Sequence, residues 1–276
     1  MSKPKSQRGG RNLPVATAVG VGLLLGVGAA LFIVEQVFVG FAVLAVGGGL
    51  WELKQAFAKR KFNLPLLPLW VGSAGMLISS YLVGAEALVV SFVLTALGMA
   101  VWRVIDGGGM AAVRDCAAGL FAIAYLPLMA GFVMMMLAAE DGQKQVVLFI
   151  LLAVANDTGG FFAGTSFGKH PLAPSISPKK SWEGLAGSFV LTMAVGVLGA
   201  IFLLDINPII GVILGLLTPI TATVGDLAES LIKRDLDLKD MGSLLPGHGG
   251  ILDRLDSLLL TAPFVYLLLA AAPSIS

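Results

Sequence analysis

Residues 206–225 read INPIIGVILGLLTPITATVG, a stretch without a single charged side chain. An α-helix rises about 1.5 Å per residue, so a helix of this length crosses the hydrocarbon core of a bilayer. The charged sequence that begins directly afterwards, at Asp226, would then lie at the edge of the membrane. This stretch therefore predicts a membrane-spanning helix with ionisable groups at one of its ends.

The composition of the whole chain agrees with a membrane protein. Of its 276 residues 57% are hydrophobic and only 13% are charged, and the mean hydropathy is +0.92. Soluble domains carry about 25% charged residues, so this composition excludes an ordinary water-soluble enzyme, a disordered chain and a collagen-like fibre. The net charge of +1 gives no reason to expect nucleic acid as a partner.

The scarcity of cysteine and histidine limits the kind of metal site that the chain could form. Cys116 is the one cysteine, and His170 and His248 are the two histidines. These residues cannot supply a disulfide framework or a Cys- or His-rich zinc site. Any bound metal would be held mainly by oxygen ligands, which suit Mg²⁺, Mn²⁺ or Ca²⁺.

The apolar segments predict an all-α, polytopic integral membrane protein. Spans must be helices or closed barrels, and the alternating pattern of barrel strands is absent from the sequence. We predict about nine transmembrane helices, at residues 13–34, 37–51, 64–82, 84–102, 116–138, 145–164, 185–204, 206–225 and 251–272.

The basic residues predict that the N-terminus lies inside and the C-terminus outside. With nine spans in this orientation, all 18 Lys and Arg residues except Lys144 fall on the cytoplasmic side, as the positive-inside rule requires. Residues 1–115 then form an N-terminal region that contains transmembrane helices one to four and a basic cytoplasmic N-terminus. Residues 116–276 form a catalytic transmembrane region with two cytoplasmic loops, 165–184 and 231–250. We expect a multi-pass protein of the inner or plasma membrane with its active site on the cytoplasmic side. A GxxxG pattern at Gly22 and Gly26 leaves a homodimer open.

The second of these loops belongs to the densest cluster of charge, residues 225–256, which read GDLAESLIKRDLDLKDMGSLLPGHGGILDRLD. Asp226 and Glu229 share one helix face at the end of the eighth span, and Asp253 and Asp256 share one at the start of the ninth. Carboxylates so close to hydrocarbon repel one another and are costly to desolvate unless a cation holds them. A hard divalent ion is the partner that this arrangement favours.

Glycines and basic side chains near these acids predict a site that handles phosphate. The turn at residues 246–250 permits a close approach of backbone to a ligand, and it precedes a helix N-terminus, which favours anions. Lys233, Arg234 and Lys239 add positive charge. We interpret Asp235, Asp237 and Asp240 as solvated charges, because they do not abut the apolar segments.

The first cytoplasmic loop adds further candidates from residues 156–184, NDTGGFFAGTSFGKHPLAPSISPKKSWEG. Asp157 lies within the sixth span, where an ionisable group is a functional candidate. Lys169 and the glycines beside it could shape an anion-binding turn. Ser177, Lys179 and Lys180 form a basic, hydroxyl-rich turn, for which a plain basic loop is an equally good interpretation.

Both stretches resemble the phosphatidate cytidylyltransferase (CDP-diacylglycerol synthase) family. The resemblance covers residues 156–256, whereas the first four spans match only as apolar helices. The family pattern stands here as Asp157-Thr158-Gly159, Phe167-Gly168-Lys169, Ser177-Pro178-Lys179-Lys180, Ser230, Lys233-Arg234, Lys239-Asp240, His248-Gly249-Gly250 and Asp253-Arg254-Leu255-Asp256.

The resemblance implies that CTP and phosphatidic acid react to CDP-diacylglycerol and pyrophosphate, with membrane lipids around the site. It implies Mg²⁺ as the cofactor, held by Asp226, Asp253 and Asp256, and leaves a second cation open. It implies catalytic roles for Lys233, Arg234, Asp253 and Asp256. The substrate-binding residues that it implies are Asp157, Lys169, Ser177, Lys179, Lys180, Ser230, Lys239, His248, Gly249, Gly250 and Arg254.

Three alternatives stay open at this point. A CDP-alcohol phosphatidyltransferase also clusters aspartates at a membrane edge, but its Asp-Gly-x-x-Ala-Arg pattern is missing, and residues 106–109 match only its beginning. A CTP-dependent lipid kinase would transfer the terminal phosphate instead. A transporter would place its charges near the middle of the membrane on broken helices, whereas these acids cluster at the edge.

Overall fold

The computed structural model describes residues 22, 26, 28–107, 109, 111–244 and 249–272. Nine α-helices and one short hairpin follow residues 28–33, which are also helical. The helices are α1 Glu35–Ala58, α2 Leu66–Leu82, α3 Ala85–Ile105, α4 Ala112–Ile123, α5 Met129–Ala138, α6 Gly142–Phe167, α7 Trp182–Phe202, α8 Pro208–Asp235 and α9 Leu252–Ala271. A π-helical segment, Ala124–Leu128, joins α4 to α5, and strands β1 Pro171–Ala173 and β2 Ser177–Ser181 lie between α6 and α7.

The helices confirm an all-α membrane protein. Seven helical stretches of the described chain are long and apolar enough to cross a membrane, with α4, the π segment and α5 forming one of them. The apolar helix α2 is shorter, at 17 residues. Eight of the predicted segments thus correspond to observed helices in order, whereas most of the first, at 13–34, lies outside the described residues. The count of nine and the orientation stay predictions.

The first residues of α8 show why this helix begins where it does. Asn207 caps the helix, because its side chain accepts a hydrogen bond from the N–H of Ile209 at 3.0 Å. Pro208 follows at the first position, where a missing N–H costs nothing. The helix then continues past the apolar run to Asp235, ten residues beyond the predicted end. The acidic and basic residues 226–235 are therefore the last turns of the membrane helix itself.

Close glycine contacts hold α6, α7 and α8 together. A Cβ atom on Gly187 of α7 would lie 2.5 Å from the carbonyl oxygen of Gly159 in α6, and one on Gly196 would lie 2.3 Å from that of Gly211 in α8. Thr192 donates a hydrogen bond across the second contact to the carbonyl of Gly215 at 2.7 Å. Lipid provides no hydrophobic drive for helix association, so close backbone packing and interhelical hydrogen bonds take its place.

The connections that carry most of the basic residues meet at one end of the bundle. Arg60, after α1, forms an ion pair with Asp237, after α8, at 2.7 Å. Arg234 at the end of α8 donates to the carbonyl of Ile176 in the hairpin at 3.4 Å. The predicted topology requires this grouping of loops on one side of the membrane.

A different set of polar contacts lies at the opposite end. Tyr81 near the end of α2 donates to Glu35 at the start of α1 at 2.9 Å, and Gln143 at the start of α6 donates to the same carboxylate at 3.2 Å. The short connections at this end leave no room for a domain among the described residues. The larger loops of the described chain, and the site below, therefore belong to the end that carries Arg60 and Arg234.

Candidate functional site

The acidic residues of α8 and α9 come together because the two helices touch at Gly225. A Cβ atom on this residue would lie 2.5 Å from the carbonyl oxygen of Asp256. The last turns of α8 and the first turns of α9 are therefore in close contact. The carboxylates of Asp226 and Glu229 face those of Asp253 and Asp256 at this crossing, and we call these four residues the carboxylate cluster.

Asp253 joins the start of α9 to the loop before it and to α8. One carboxylate oxygen accepts a hydrogen bond from Lys233 at 3.0 Å, while the other accepts the backbone N–H groups of Met241 and Gly250, both at 3.0 Å. The side chain is 7% exposed. A buried carboxylate with three donors holds a fixed position, and here it also fixes the backbone at Met241 and Gly250.

Asp226 links α8 to the hairpin. Lys180 of β2 forms an ion pair with one of its oxygens at 2.6 Å, and Ser230, one turn further along α8, donates to the other at 3.2 Å. Both side chains of the ion pair are about one third exposed or less, so water reaches this contact. The structure thus brings Lys180 and Ser230, both predicted to bind substrate, to the predicted metal ligand Asp226.

Glu229 and Asp256 form the buried half of the carboxylate cluster. Glu229 is completely buried, and neither of its carboxylate oxygens has a hydrogen-bond partner among the described residues. The Nζ atom of Lys233 lies 3.4 Å from one of them. The carboxyl group of Asp256, which accepts the N–H of Ser257 at 2.7 Å, lies close to that of Glu229, and the two would repel each other when both are ionised. A single lysine therefore faces three acids in this part of the site.

The donors of the carboxylate cluster fit a hard cation in chemistry. All are carboxylate oxygens, and those of Glu229 are buried without a hydrogen bond among the described residues. In the described part of the chain, no three His, Cys, Asp or Glu side chains already stand close enough together to enclose a metal ion. The lysines occupy one side of Asp226 and of Asp253, and binding a cation there would require these two ion pairs to open.

Asp157 of α6 faces the same region. Its carboxylate accepts a hydrogen bond from the amide of Asn156 at 3.0 Å, and it lies within electrostatic range of Asp226, Lys180 and Arg254. The backbone carbonyl of Asn156 in turn accepts the hydroxyl of Ser188 at 2.7 Å, which fixes this turn of α6 against α7. Asp157 and Arg254, both predicted from the sequence, are thus part of one site.

Other predicted residues lie at this end of the bundle without a described contact to the carboxylates. Lys169, Lys179 and Lys239 are exposed, and Ser177 is half-buried at the start of β2. The hairpin carries Ser177 and Lys179, and the connection before it carries Lys169. His170 in this connection attaches it to α7, because its ring lies 2.6 Å from Glu183.

Two predicted glycines line the turn before α9. Gly249 has φ +87°, a backbone conformation that glycine adopts without strain, and the N–H of Gly250 points to Asp253. His248 lies outside the described residues.

Sequence reasoning missed Glu52. This residue lies near the end of α1, is completely buried, and accepts the backbone N–H groups of Leu252 at 3.1 Å and Leu244 at 3.4 Å. A Cβ atom on Gly242 or Gly250 would lie 2.2 Å or 2.7 Å from its carboxylate oxygens. The signal that could have found it is an acid at the edge of an apolar segment, just beyond the predicted span at 37–51.

The sequence analysis also missed a buried ion pair, between Arg103 and Asp115, that connects α3 to α4. Arg103 of α3 is buried and lies 3.1 Å from the carboxylate of Asp115 in α4 and 2.7 Å from that of Asp106. Asp115 also accepts the backbone N–H of Asn63 at 3.1 Å. Because Asp115 is completely enclosed by these donors, α3, α4 and the connection after α1 keep a fixed arrangement beside the site.

Comparison with known proteins identifies relatives along nearly the whole chain. A family model described as the cytidylyltransferase family matches residues 14–272. The phosphatidate cytidylyltransferase of Mycobacterium bovis is 35% identical over 98% of this chain and 92% of its own length. The protein of the same name from Mycobacterium leprae is 34% identical over 99% of this chain and 92% of its length. The one from Bacillus subtilis is 48% identical over a shorter region, 42% of this chain and 44% of its own.

Proposed function

The chain belongs to the cytidylyltransferase family, and we propose a metal-assisted mechanism for the reaction that it catalyses, in which CTP and phosphatidic acid give CDP-diacylglycerol and pyrophosphate. It is a membrane-bound nucleotidyltransferase of phospholipid biosynthesis. The observation that supports the mechanism is the carboxylate cluster with Lys180 and Lys233 at one end of the helical bundle.

The chemistry needs no nucleophilic side chain. An oxygen of the lipid phosphate, which is already ionised, attacks the α-phosphorus of CTP. The bond from this phosphorus to the oxygen that bridges to the β-phosphate breaks, and pyrophosphate leaves with that oxygen. The barrier comes from bringing two anions together and from the charge that builds on the leaving group, so positive charge fixed at both places lowers it.

We assign this positive charge to the lysines and arginine at the end of α8 and in β2. Lys233 lies among the acids of the cluster, whereas Arg234 and Lys180 connect the hairpin to α8. When phosphate oxygens enter, Lys180 and Lys233 exchange their carboxylate partners for the substrate, and Arg234 exchanges the carbonyl of Ile176. Lys233 and Arg234 then neutralise the reacting phosphates, while Asp253 keeps the glycine turn in place.

Asp226, Asp253 and Asp256 are the carboxylates that would hold Mg²⁺, and the buried oxygens of Glu229, which accept no hydrogen bond among the described residues, would complete the set or hold a second cation. A bound divalent ion supplies charge neutralisation for the phosphates in the transition state. Ionised Asp256 and Glu229 would repel each other in the absence of such a charge, so a bound cation would be favoured by relief of that repulsion.

We assign CTP to the side of the site formed by the hairpin and the glycine turn. These parts carry the predicted substrate-binding residues Asp157, Lys169, Ser177, Lys179, Lys180, Ser230, Lys239, His248, Gly249, Gly250 and Arg254. The acyl chains of phosphatidic acid stay in the bilayer. We place the protein in the plasma membrane with this end facing the cytoplasm, since the basic loops collect here.

The mechanism is tested by the dependence of turnover on Mg²⁺ in detergent micelles that contain phosphatidic acid. We expect excess chelator to abolish product formation and added Mg²⁺ to restore it. We expect Asp253→Asn to lose at least about a hundredfold in kcat, because the lost charge no longer holds a cation or Lys233. Asp235→Asn is the matched control, since Asp235 is an exposed aspartate at the end of the neighbouring helix α8.

Each half of this test can overturn the mechanism. Full turnover by the chelated wild-type protein would show that no divalent ion takes part. Normal turnover by Asp253→Asn, with the protein folded and loaded with Mg²⁺, would remove Asp253 from the catalytic residues.

A further inference from the structure

An irregular turn lies in the middle of the membrane-spanning stretch Ala112–Ala138. Residues Ala124–Leu128 form a π-helical turn there, and Pro127 lies inside it. Proline removes a backbone N–H and disturbs the regular ladder of helix hydrogen bonds, and such turns are frequent at functional sites. The turn carries Tyr125, a residue outside every motif identified in the sequence.

The ring of Tyr125 continues a row of aromatic side chains. It stacks on Phe121 with ring centres 5.4 Å apart, Phe121 lies 6.2 Å from Phe57, and Phe57 lies 5.5 Å from Phe62. We call these four residues the aromatic row. At its far end the guanidinium of Arg114 covers the ring of Phe62 at 4.9 Å. The aromatic row therefore runs from Arg114, at the end of the bundle, to the π-helical turn that carries Tyr125.

The middle of the row faces lipid, whereas its inner end does not. Phe121 belongs to a membrane-spanning helix and is 39% exposed. The hydroxyl of Tyr125, one turn further, is buried and has no hydrogen-bond partner among the described residues. A lipid molecule that enters from the bilayer along Phe121 would therefore reach the hydroxyl of Tyr125 one helical turn further on.

The hydroxyl of Tyr125 lies in the electrostatic surroundings of the carboxylate cluster. Glu229, Asp256, Asp226 and Asp253 all lie within electrostatic range of it. Burying a hydroxyl without a hydrogen-bond partner is unfavourable, so this group favours a ligand that accepts its hydrogen bond. An anionic ligand would bind beside the acids together with a cation that offsets their negative charge.

We propose that the hydroxyl of Tyr125 donates a hydrogen bond to the phosphate of phosphatidic acid, and that the aromatic row lines the path along which this lipid enters from the bilayer. This inference rests on the proposed function. Phosphatidic acid is the substrate that this geometry favours over CTP, because Phe121 opens to lipid while the hairpin and the loop before α9 lie at the water-exposed end.

The test is Tyr125→Phe, which removes the hydroxyl and keeps the ring stack on Phe121. Initial rates are measured while the mole fraction of phosphatidic acid is varied at saturating CTP, and then with the two substrates exchanged. We expect kcat/KM for phosphatidic acid to fall about tenfold or more and the KM for CTP to stay within about twofold. Tyr266→Phe is the matched control, because Tyr266 lies in α9 against Phe132, away from the aromatic row, and its rates should not change.

Binding without turnover separates this inference from the proposed function. Phosphatidic acid should bind the wild-type protein more tightly than Tyr125→Phe when no CTP is present, whatever product later forms. A wild-type protein that binds the lipid but forms no CDP-diacylglycerol would overturn the proposed function alone. Equal binding of the lipid by both proteins, or a loss confined to CTP, would overturn the role of Tyr125.

A second variant keeps the test valid if Tyr125→Phe does not fold. Phe121→Leu interrupts the aromatic row between Phe57 and Tyr125 and leaves the carboxylate cluster unchanged. This variant should raise the KM for phosphatidic acid with no change in the KM for CTP. An unchanged KM for phosphatidic acid in this variant would overturn the proposed entry path.

Discussion

Glu52 gives the clearest case in which a single buried side chain should control both stability and catalysis. It reaches from α1 to Leu244 in the loop before α9 and to Leu252, the first residue of α9, and it accepts the N–H groups of both. Asp253 accepts two other N–H groups of the same loop, those of Met241 and Gly250. The two acids together fix the described parts of this loop on both sides of residues 245–248.

The expected magnitude follows from these contacts. Glu52→Ala leaves the buried N–H of Leu252 and the partly buried N–H of Leu244 without an acceptor, and each such loss costs about 1–3 kcal/mol, with the 3.4 Å bond to Leu244 at the low end. We therefore expect the free energy of unfolding to fall by about 2–4 kcal/mol. Glu52→Gln keeps one carbonyl oxygen but turns an amide N–H₂ toward a donor, so it should lose about half as much.

The assay is equilibrium unfolding in mixed micelles with a rising fraction of a denaturing detergent, combined with steady-state rates. We expect Glu52→Ala to lose turnover as well, because Gly250 would no longer be held beside Asp253. Glu86→Ala is the control, since Glu86 is an exposed acid in the first turn of α3. Unchanged stability and unchanged turnover in Glu52→Ala would refute this reasoning.

Two further predictions concern a surface charge and a helix contact. Asp237→Asn should leave turnover unchanged and lower the free energy of unfolding by at most about 1 kcal/mol in the same assay. The ion pair of Asp237 with Arg60 is exposed, and asparagine also tolerates the φ of +54° at this position. A large loss of turnover would place Asp237 in the site. Gly187→Leu should prevent α6 and α7 from packing, since even a Cβ atom would lie 2.5 Å from the carbonyl of Gly159, and chromatography in mild detergent should show aggregated protein. A monodisperse, active Gly187→Leu protein would contradict this account of the helix contact.

The helices could be predicted from the sequence because long apolar runs have few alternatives in lipid. Their ends could not be predicted as well. The helix α8 continues to Asp235, since residues 226–235 keep helical hydrogen bonds after the apolar face has ended. The hairpin of β1 and β2 was predicted only as a turn, because a three-residue strand and a five-residue strand with a proline carry almost no periodic pattern.

The acids of the site could be predicted for the same local reason. Asp226 and Glu229 share a helix face by their spacing, and Asp253 and Asp256 do so in α9. The partners of these acids depend on tertiary structure. Nothing in the local sequence indicates that Lys180 pairs with Asp226, or that Glu52 holds a backbone group 200 residues away.

Tyr125 illustrates a further limit of the sequence. An aromatic residue within an apolar run predicts a packed ring, and only the structure shows that its hydroxyl is buried without a hydrogen-bond partner among the described residues and within electrostatic range of the carboxylate cluster. Residues that lie between motifs therefore need the structure before a role can be assigned to them.

The most direct test of the central claim uses CTP labelled separately at the α- and γ-phosphates, with purified protein, phosphatidic acid and Mg²⁺ in detergent. The account predicts that the α label appears in the lipid product, that the γ label leaves as pyrophosphate, and that Asp253→Asn produces neither. Transfer of the γ label to the lipid would contradict it, because the enzyme would then be a lipid kinase.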